Sequence, residues 1–297
     1  MNRRDLLTSG TLATAALAFG LRPLRAHRPD MRFGYAALTW GGNDQQAIDD
    51  IAALGFRGIQ LRSSALETWG ERPEVLRALL AERGLTMVAL SSGTVRLDPA
   101  FEAEDLALHL KNARFVRAVG GLYLQVLDER PKDRAPTGDD FRRMGRLLTE
   151  LGRRSADLGI PLGYHNHMGN LGQAPHEVAQ VLDAADARFV RLELDTAHYQ
   201  QGGGDPVEAV NTYGDRLLFL HIKDLESPVP GKEPDSYRFV ELGRGKVDFP
   251  KVFAALERVG FQGWGIIELD SVPDSARTPK ESGVIARQYL ETMGFEL

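Results

Sequence analysis

The 297-residue chain contains no cysteine. That removes disulfide frameworks, cysteine-ligated zinc, iron–sulfur sites and thiol nucleophiles together. It also has no excess of positive charge: 36 Lys and Arg stand against 41 Asp and Glu, a net of −5 at pH 7. Without a broad basic surface to meet a phosphate backbone, nucleic acid is not an expected partner. Nor does the sequence contain an apolar run long enough for a stable membrane anchor. What it does have is ordinary globular composition, 43% hydrophobic and 26% charged with 31 Gly and 15 Pro. A chain of this length can bury a core without cross-links.

The start of the chain has a separate character. Residues 2–8 read Asn-Arg-Arg-Asp-Leu-Leu-Thr, an uncharged stretch runs from 9 to 21, and Arg22, Arg25 and the small Ala26 follow. Paired arginines, a moderate apolar run and a small residue before a polar start resemble a twin-arginine export signal. On this reading residues 1–26 are an export signal peptide and 27–297 form the mature protein, which is periplasmic. The segment carries four Arg and one Asp, so its loss takes the net charge to −8. A plain disordered tail is the alternative reading.

From residue 33 onward short apolar runs alternate with longer segments of helical apolar spacing. The candidate strands are 33–39, 58–61, 87–90, 122–127, 162–165, 190–194, 217–222 and 265–269; 141–158 and 252–259 are clear amphipathic helices. Gly55, Gly84, Gly120, Gly159 and Gly260 each close a helical segment shortly before a strand, where a residue free to adopt the left-handed conformation is favoured. Eight such units predict a single-domain α/β fold, the (β/α)8 TIM barrel. A doubly wound open sheet competes, but the first strand runs into Trp-Gly-Gly-Asn rather than a phosphate-binding loop. Two irregular polar stretches, 128–138 and 226–241, follow strands and suit either active-site lids or plain surface insertions.

Polar residues gather where the last four strands end. Strand five ends Tyr164-His165-Asn166-His167, and strand six reads Glu193-Leu194-Asp195-Thr196-Ala197-His198. Strand seven reads His221-Ile222-Lys223-Asp224, and strand eight Ile267-Glu268-Leu269-Asp270. Residues two apart share a strand face, so His165, Asp195, His221 and Glu268 can converge on one mouth. Two imidazoles and two carboxylates make a mixed nitrogen and oxygen set. It suits Mn²⁺, Co²⁺, Zn²⁺ or Fe²⁺ better than the all-oxygen preferences of Mg²⁺ and Ca²⁺. Singly, each residue has a plainer reading, and Asp195 could simply cap the helix that follows. Glu193 and Glu268 differ, because a carboxylate flanked by apolar residues in a strand needs a cation or strong donors close by. Glu193, one pleat deeper, reads as a supporting or ion-paired group rather than a ligand. Trp40 and Arg62, after strand one and at the end of strand two, are candidate substrate contacts, with Gln60 on the face of Arg62; Trp69 could also stack on a ligand or pack in the core.

The stretches Tyr164-His165-Asn166-His167-Met168-Gly169 and Leu194-Asp195-Thr196-Ala197-His198 resemble the sugar phosphate isomerase/epimerase superfamily of xylose isomerase-like barrels, in its inosose dehydratase-like branch. Gly202-Gly203-Gly204-Asp205-Pro206, His221-Ile222-Lys223-Asp224 and Leu242-Gly243-Arg244-Gly245-Lys246-Val247-Asp248-Phe249 add to the likeness. The resemblance implies one divalent ion, Mn²⁺ or Co²⁺, on His165, Asp195, His221 and Glu268. It also implies that His198 and Lys223 face the substrate. Ketose epimerases of the superfamily carry Glu at the strand-five position, where this chain has His165, as inosose dehydratase-like members do.

These readings lead to a metal-dependent isomerase or epimerase acting on a keto-sugar or polyol through an enediolate. Glu268 is the first candidate base, His167 or His198 the acid or hydroxyl-positioning group, and Lys223 a fixed positive charge. The alternative is a lyase that removes water from a keto-inositol or 3-keto-sugar. A phosphodiesterase with a trinuclear zinc site needs more ligands than the chain offers, and a non-catalytic sugar-binding barrel leaves the buried charges without a purpose. The expected partner is a small sugar or inositol derivative, and pairing into a homodimer is a further expectation.

Overall fold

In the computed structural model, which describes residues 29–297, the apolar runs become the strands of a closed parallel barrel. The proposed signal segment, 1–26, lies outside the described residues. The strands are β1 (Asp30–Ala36), β2 (Gly58–Arg62), β3 (Thr86–Val95), β4 (Tyr123–Asp128), β5 (Leu162–His165), β6 (Val190–Asp195), β7 (Leu217–Ile222) and β10 (Gln262–Ile267). Their order around the barrel is β1-β10-β7-β6-β5-β4-β3-β2, with β1 and β10 paired from Asp30↔Gln262 to Tyr35↔Ile267 to close it. Between β7 and β10 a two-stranded antiparallel hairpin, β8 (Asp224–Glu226) and β9 (Arg238–Val240), leaves the barrel. The single-domain (β/α)8 expectation holds.

Local chemistry explains the punctuation. Gly55, Gly84, Gly120, Gly159 and Gly260 all have φ between +65° and +87°, the region that a Cβ disfavours. Helix 138–157 starts on a reciprocal cap between Thr137 and Asp140, which satisfies backbone N–H groups that have no partner inside the helix.

The strand boundaries shift at both ends of the sheet. β1 ends at Ala36 instead of 39, because Ala37–Trp40 winds into a short 3₁₀ turn closed by Gly41 at φ +63°. In that turn Thr39 Oγ1 donates to Leu269 O at 2.6 Å, and Trp40 Nε1 donates to Asp50 Oδ2 at 3.0 Å. β10 runs from 262 to 267 rather than from 265 to 269, so Glu268 stands just past its end. Apolar runs mark buried residues, whereas strands are bounded by ladder hydrogen bonds, and the exposed Gln262 pairs without being buried.

Most of the core lies between sheet and helices. A smaller cluster of Ala36, Val88, Ala89, Phe219, Trp264 and Ile266 forms a second core, and Phe219, Ile266 and Trp264 share strand faces with the residues of the mouth. Gly58 makes room for the Trp264 ring: a Cβ there would stand 2.6 Å from Cζ3. An alanine at that position would cost about 1–3 kcal/mol through overpacking. Tyr123 stacks on Phe219 at 5.4 Å, and Arg32 covers Trp264 at 4.4 Å.

Candidate metal centre and active-site mouth

Barrel stagger brings the strand ends to a common height. His165 is in register with Glu193, Asp195 with His221, and His221 with Ile266. The residues that converge are therefore His165, Asp195 two steps further along β6, His221 level with it, and Glu268 two steps beyond Ile266. That two-residue climb follows the shear required of tilted strands in a closed barrel.

His165, Asp195 and His221 are all buried, and each offers one ligand atom such that the atoms lie within 4.8 Å of one another. Glu268 Oε2 lies 3.2 Å from His221 Nδ1, and Asp195 Oδ2 lies 3.5 Å from the same nitrogen. Among the described residues, His165 Nδ1, Asp195 Oδ2 and His221 Nδ1 have no hydrogen-bond partner although water cannot reach them. Orphaned buried atoms are costly, and a shared cation is what would satisfy several at once. The donor set therefore fits a divalent ion of the Mn²⁺, Co²⁺, Zn²⁺ or Fe²⁺ type.

Asp195 serves two purposes. Its Oδ1 caps helix Thr196–Gln201 by accepting from His198 N at 2.8 Å, while Oδ2 stays free. The helix-cap reading and the ligand reading are thus compatible within one carboxylate. Asn166 joins β5 to β6: its Oδ1 accepts from Asp195 N at 2.9 Å and its Nδ2 donates to Asp195 O at 3.2 Å.

Support comes from deeper in the barrel. His221 Nε2 donates to Gln60 Oε1 at 2.9 Å and lies 2.6 Å from Glu193 Oε1. A proton held there leaves Nδ1 as the nitrogen open to a cation, the arrangement by which a second polar partner orients a metal-binding imidazole. Glu193 Oε1 also lies 3.8 Å from His165 Nδ1. Burial pushes the Glu193 carboxyl up to about 7 against the pull of His221. Burial alone would depress His221, but Glu193 and Glu268 outweigh it and hold its pKa well above the usual imidazole range. Burial, with His221 as a like-charged neighbour, depresses His165 well below that range.

Lys223 is 1% exposed, and its Nζ donates to Glu268 Oε2 at 2.8 Å and to Asp270 Oδ1 at 2.5 Å. Burial opposes its charge, yet Glu268, Asp195 and Asp270 raise its pKa above the ordinary lysine value. Burial would raise Glu268, but His221 and Lys223 hold it well below the carboxylate range. Thr196 fixes the Lys223 backbone, its Oγ1 donating to Lys223 O at 2.7 Å and accepting from Lys223 N at 3.1 Å. Glu268, Asp195 and Asp270 all act on the Lys223 ammonium, an excess of negative charge that a divalent cation would offset.

Two further histidines line the mouth with rings 3.8 Å apart. His167 Nδ1 donates to Met168 O at 2.6 Å, which leaves Nε2 as a lone-pair acceptor. His198 Nδ1 lies 3.2 Å from Met168 N and its Nε2 lies 3.3 Å from the Lys223 ammonium, two partners that can only donate. The Met168 carbonyl thus fixes the tautomer of His167. The loop carrying His167 is pinned by buried Asp128, whose carboxylate accepts from Tyr164 Oη at 2.7 Å and from the N–H groups of Leu171 and Gly172 at 3.0 Å each.

Not every sequence candidate reaches the mouth. Trp40 is a core residue: its ring packs against Tyr35 at 5.5 Å and its Nε1 is spent on Asp50, so the assignment to substrate binding is corrected. The sequence shows an aromatic after a strand but not the 3₁₀ turn that rotates it inward. Trp69 is likewise buried in the core. Arg62 is exposed as the last residue of β2 with Asp44 as a charged neighbour, whereas Gln60, one pleat deeper, enters the constellation through His221. Gln125, Asn166, Asp270 and Phe239 join the site without having been singled out as functional. Only Asp270 had a usable signal, its two-residue spacing from Glu268. Stretch 226–241 supplies Phe239, whereas 128–138 borders a separate cavity of about 630 Å³ and its Arg130 pairs with Glu177.

The profile of the xylose isomerase-like TIM barrel family matches residues 48–288. An inosose dehydratase from Lacticaseibacillus casei is 27% identical over 294 residues, covering 88% of this chain and 96% of the relative. The rhizopine catabolism protein MocC from Rhizobium meliloti is 27% identical over 275 residues, covering 80% and 81%. Among solved structures, one described as the IOLI protein with a binding zinc atom superposes with a TM-score of 0.75 at 17% identity, covering 90% of this chain and all of that one.

Proposed function

Because the chain belongs to the xylose isomerase-like TIM barrel family and is an enzyme, we propose that it is a divalent-metal-dependent lyase that removes water from a cyclic keto-polyol of the inosose type. The observation that carries this reading is the pair of adjacent histidines beside a buried lysine, next to a mouth whose strand-five position is His165 rather than a carboxylate. An epimerase working between two facing carboxylates has no partner for Glu268 on β5. Near full-length similarity to inosose dehydratases supports the same choice over isomerisation or epimerisation.

His165, Asp195, His221 and Glu268 would hold the metal, Mn²⁺ or Co²⁺ in our reading. When bound, it supplies Lewis-acid stabilisation of the negative charge that develops on a substrate carbonyl oxygen. His167 Nε2 takes the proton from the carbon next to that carbonyl, and the electrons of the broken C–H bond form a carbon–carbon double bond. The hydroxyl on the following carbon departs with the electrons of its C–O bond and leaves as water, taking a proton from His198 Nε2 or from Lys223. Glu268, engaged by Lys223 at 2.8 Å, orients that ammonium rather than acting as the base. Asp270 holds the lysine from its other side.

The test is turnover of an inosose by the metal-loaded protein, alongside a panel of open-chain keto-sugars, with metal content measured on the same sample. His167→Gln is expected to reduce kcat by about 10²–10⁴-fold, the range for losing a positioned acid–base group. Isomerised or epimerised product with no loss of water would overturn the reading. Periplasmic export of the chain, with cleavage near residue 26, belongs to the same proposal; N-terminal sequencing that returned Met1 for the exported protein would refute it.

A further inference from the structure

The hairpin β8–β9 leaves the barrel at Asp224, directly after Lys223, and its register sets Phe239 opposite Leu225. The Phe239 ring thereby returns to the mouth: it lies 4.0 Å from Lys223 Nζ and stands edge-on to His198 at 4.9 Å. Lys223 and His198 are each 1% exposed, while Phe239 is only half-buried. One side of the ring therefore rests on the two proposed proton donors, and part of it is open. Tyr237, just before β9, is exposed with its ring 5.6 Å away.

The hairpin is braced. The buried Asp224 carboxylate accepts backbone N–H groups from Leu225 at 2.9 Å, Gly243 at 3.0 Å, Gly245 at 2.8 Å and Val247 at 3.1 Å. A Cβ at Gly245 would stand 2.2 Å from Asp224 Oδ1, so this wrap around the carboxylate requires glycine. Arg238 pairs with Glu226 across the two strands at 2.7 Å. An aromatic held on such a root meets its ligand with little ordering cost.

We propose that Phe239 is the specificity-determining residue of this mouth, an apolar platform for the C–H face of a ring-form polyol that discriminates against open-chain polyols. The inference rests on the substrate class proposed above and adds the residue that selects it. The other groups at the mouth, His165, His167, Asp195, Glu268 and Asp270, are polar and recognise oxygens, which chain and ring polyols share. A six-membered carbocycle differs by presenting several C–H bonds on one face at once, and a half-open aromatic ring beside the proton donors is suited to that face.

The experiment uses two probes with six hydroxyls each, myo-inositol as the ring and sorbitol as the chain. Their binding to the Mn²⁺-supplied protein is measured by calorimetry for wild type, Phe239→Ala and Phe239→Leu, with melting temperature as the folding control. Wild type is expected to prefer inositol. Phe239→Ala should weaken inositol binding on the order of tenfold, the upper range for an aromatic contact, and change sorbitol less than twofold, with the leucine variant intermediate. Inosose kinetics on the same proteins should show the loss in KM rather than kcat. Equal losses for both polyols, no loss for either, or a wild type that binds neither or does not discriminate overturns the proposal. Inositol discrimination lost in Phe239→Ala without inosose turnover in wild type would instead refute the lyase reading and leave Phe239 as the selector.

Discussion

Replacing Lys223 by Met removes a buried ammonium while keeping most of the side-chain volume. The ammonium is 1% exposed and is held by Glu268, 10% exposed, and by Asp270, 40% exposed. Removing one partner of a buried pair costs about 3–5 kcal/mol because the other charge is left uncompensated. Asp270 can turn to water, and pairs of that kind contribute little, so the loss falls mainly on Glu268 and we expect the lower end, about 3 kcal/mol. For a domain of this size that corresponds to a fall in melting temperature of about 6–12 °C, measured by calorimetry on metal-depleted protein at pH 7. The double variant with Glu268→Gln should recover about 1–2 kcal/mol of that loss, because the two residues share one interaction. The pH dependence has a definite sign. The folded pKa of Lys223 lies above the ordinary 10.5, so its contribution is complete below 10.5 and is lost as pH climbs through the folded value. The wild-type stability curve should therefore fall in that alkaline window, and the Lys223→Met curve should be flatter there. A single variant that melts within about 3 °C of wild type, with no recovery in the double variant, would refute the electrostatic account of this mouth.

Other perturbations separate the remaining assignments. Chelation should lower the melting temperature of a metal-loaded sample, since an ion at a hundred times its Kd contributes about 2.7 kcal/mol; Asp195→Asn keeps the cap on His198 N but should abolish this difference, and a metal-dependent shift that survives in the variant removes Asp195 from the ligand set. Burial raises Asp128 from 3.8 to about 6, so the folded protein binds a proton there that the unfolded chain has released and stability falls as pH rises through that interval; denaturant midpoints across pH 4–7 should show a smaller slope in Asp128→Asn. Trp40→Phe gives up the bond to Asp50 and should cost about 1–2 kcal/mol, with KM within twofold of wild type; a large rise in KM would return Trp40 to the mouth.

Different physical signals carried different parts of the structure. The five helix-ending glycines were legible because the left-handed conformation is a local property of a residue without a Cβ. The barrel was legible because eight apolar runs separated by helical spacing have few ways to bury their faces. His165, Asp195, His221 and Glu268 could be grouped in advance because strand parity and consecutive strand ends constrain direction. Trp40 could not be placed: whether a strand continues for three more residues depends on ladder bonds to β10 and on Thr39 reaching Leu269 O, 230 residues away. Gln60 and Arg62 have the same parity, and only barrel depth distinguishes the one that meets His221 from the one left in solvent.

The amino-acid sequence alone determined the barrel, the strand ends that bear chemistry and the residue types available there, because period, parity and backbone preference act over a few neighbours. Tertiary structure decided the rest: the stagger that levels Asp195 with His221, the meeting of His167 and His198 around Met168, and the return of Phe239 to Lys223. Those outcomes depend on distances between segments remote along the chain, and no local pattern encodes them.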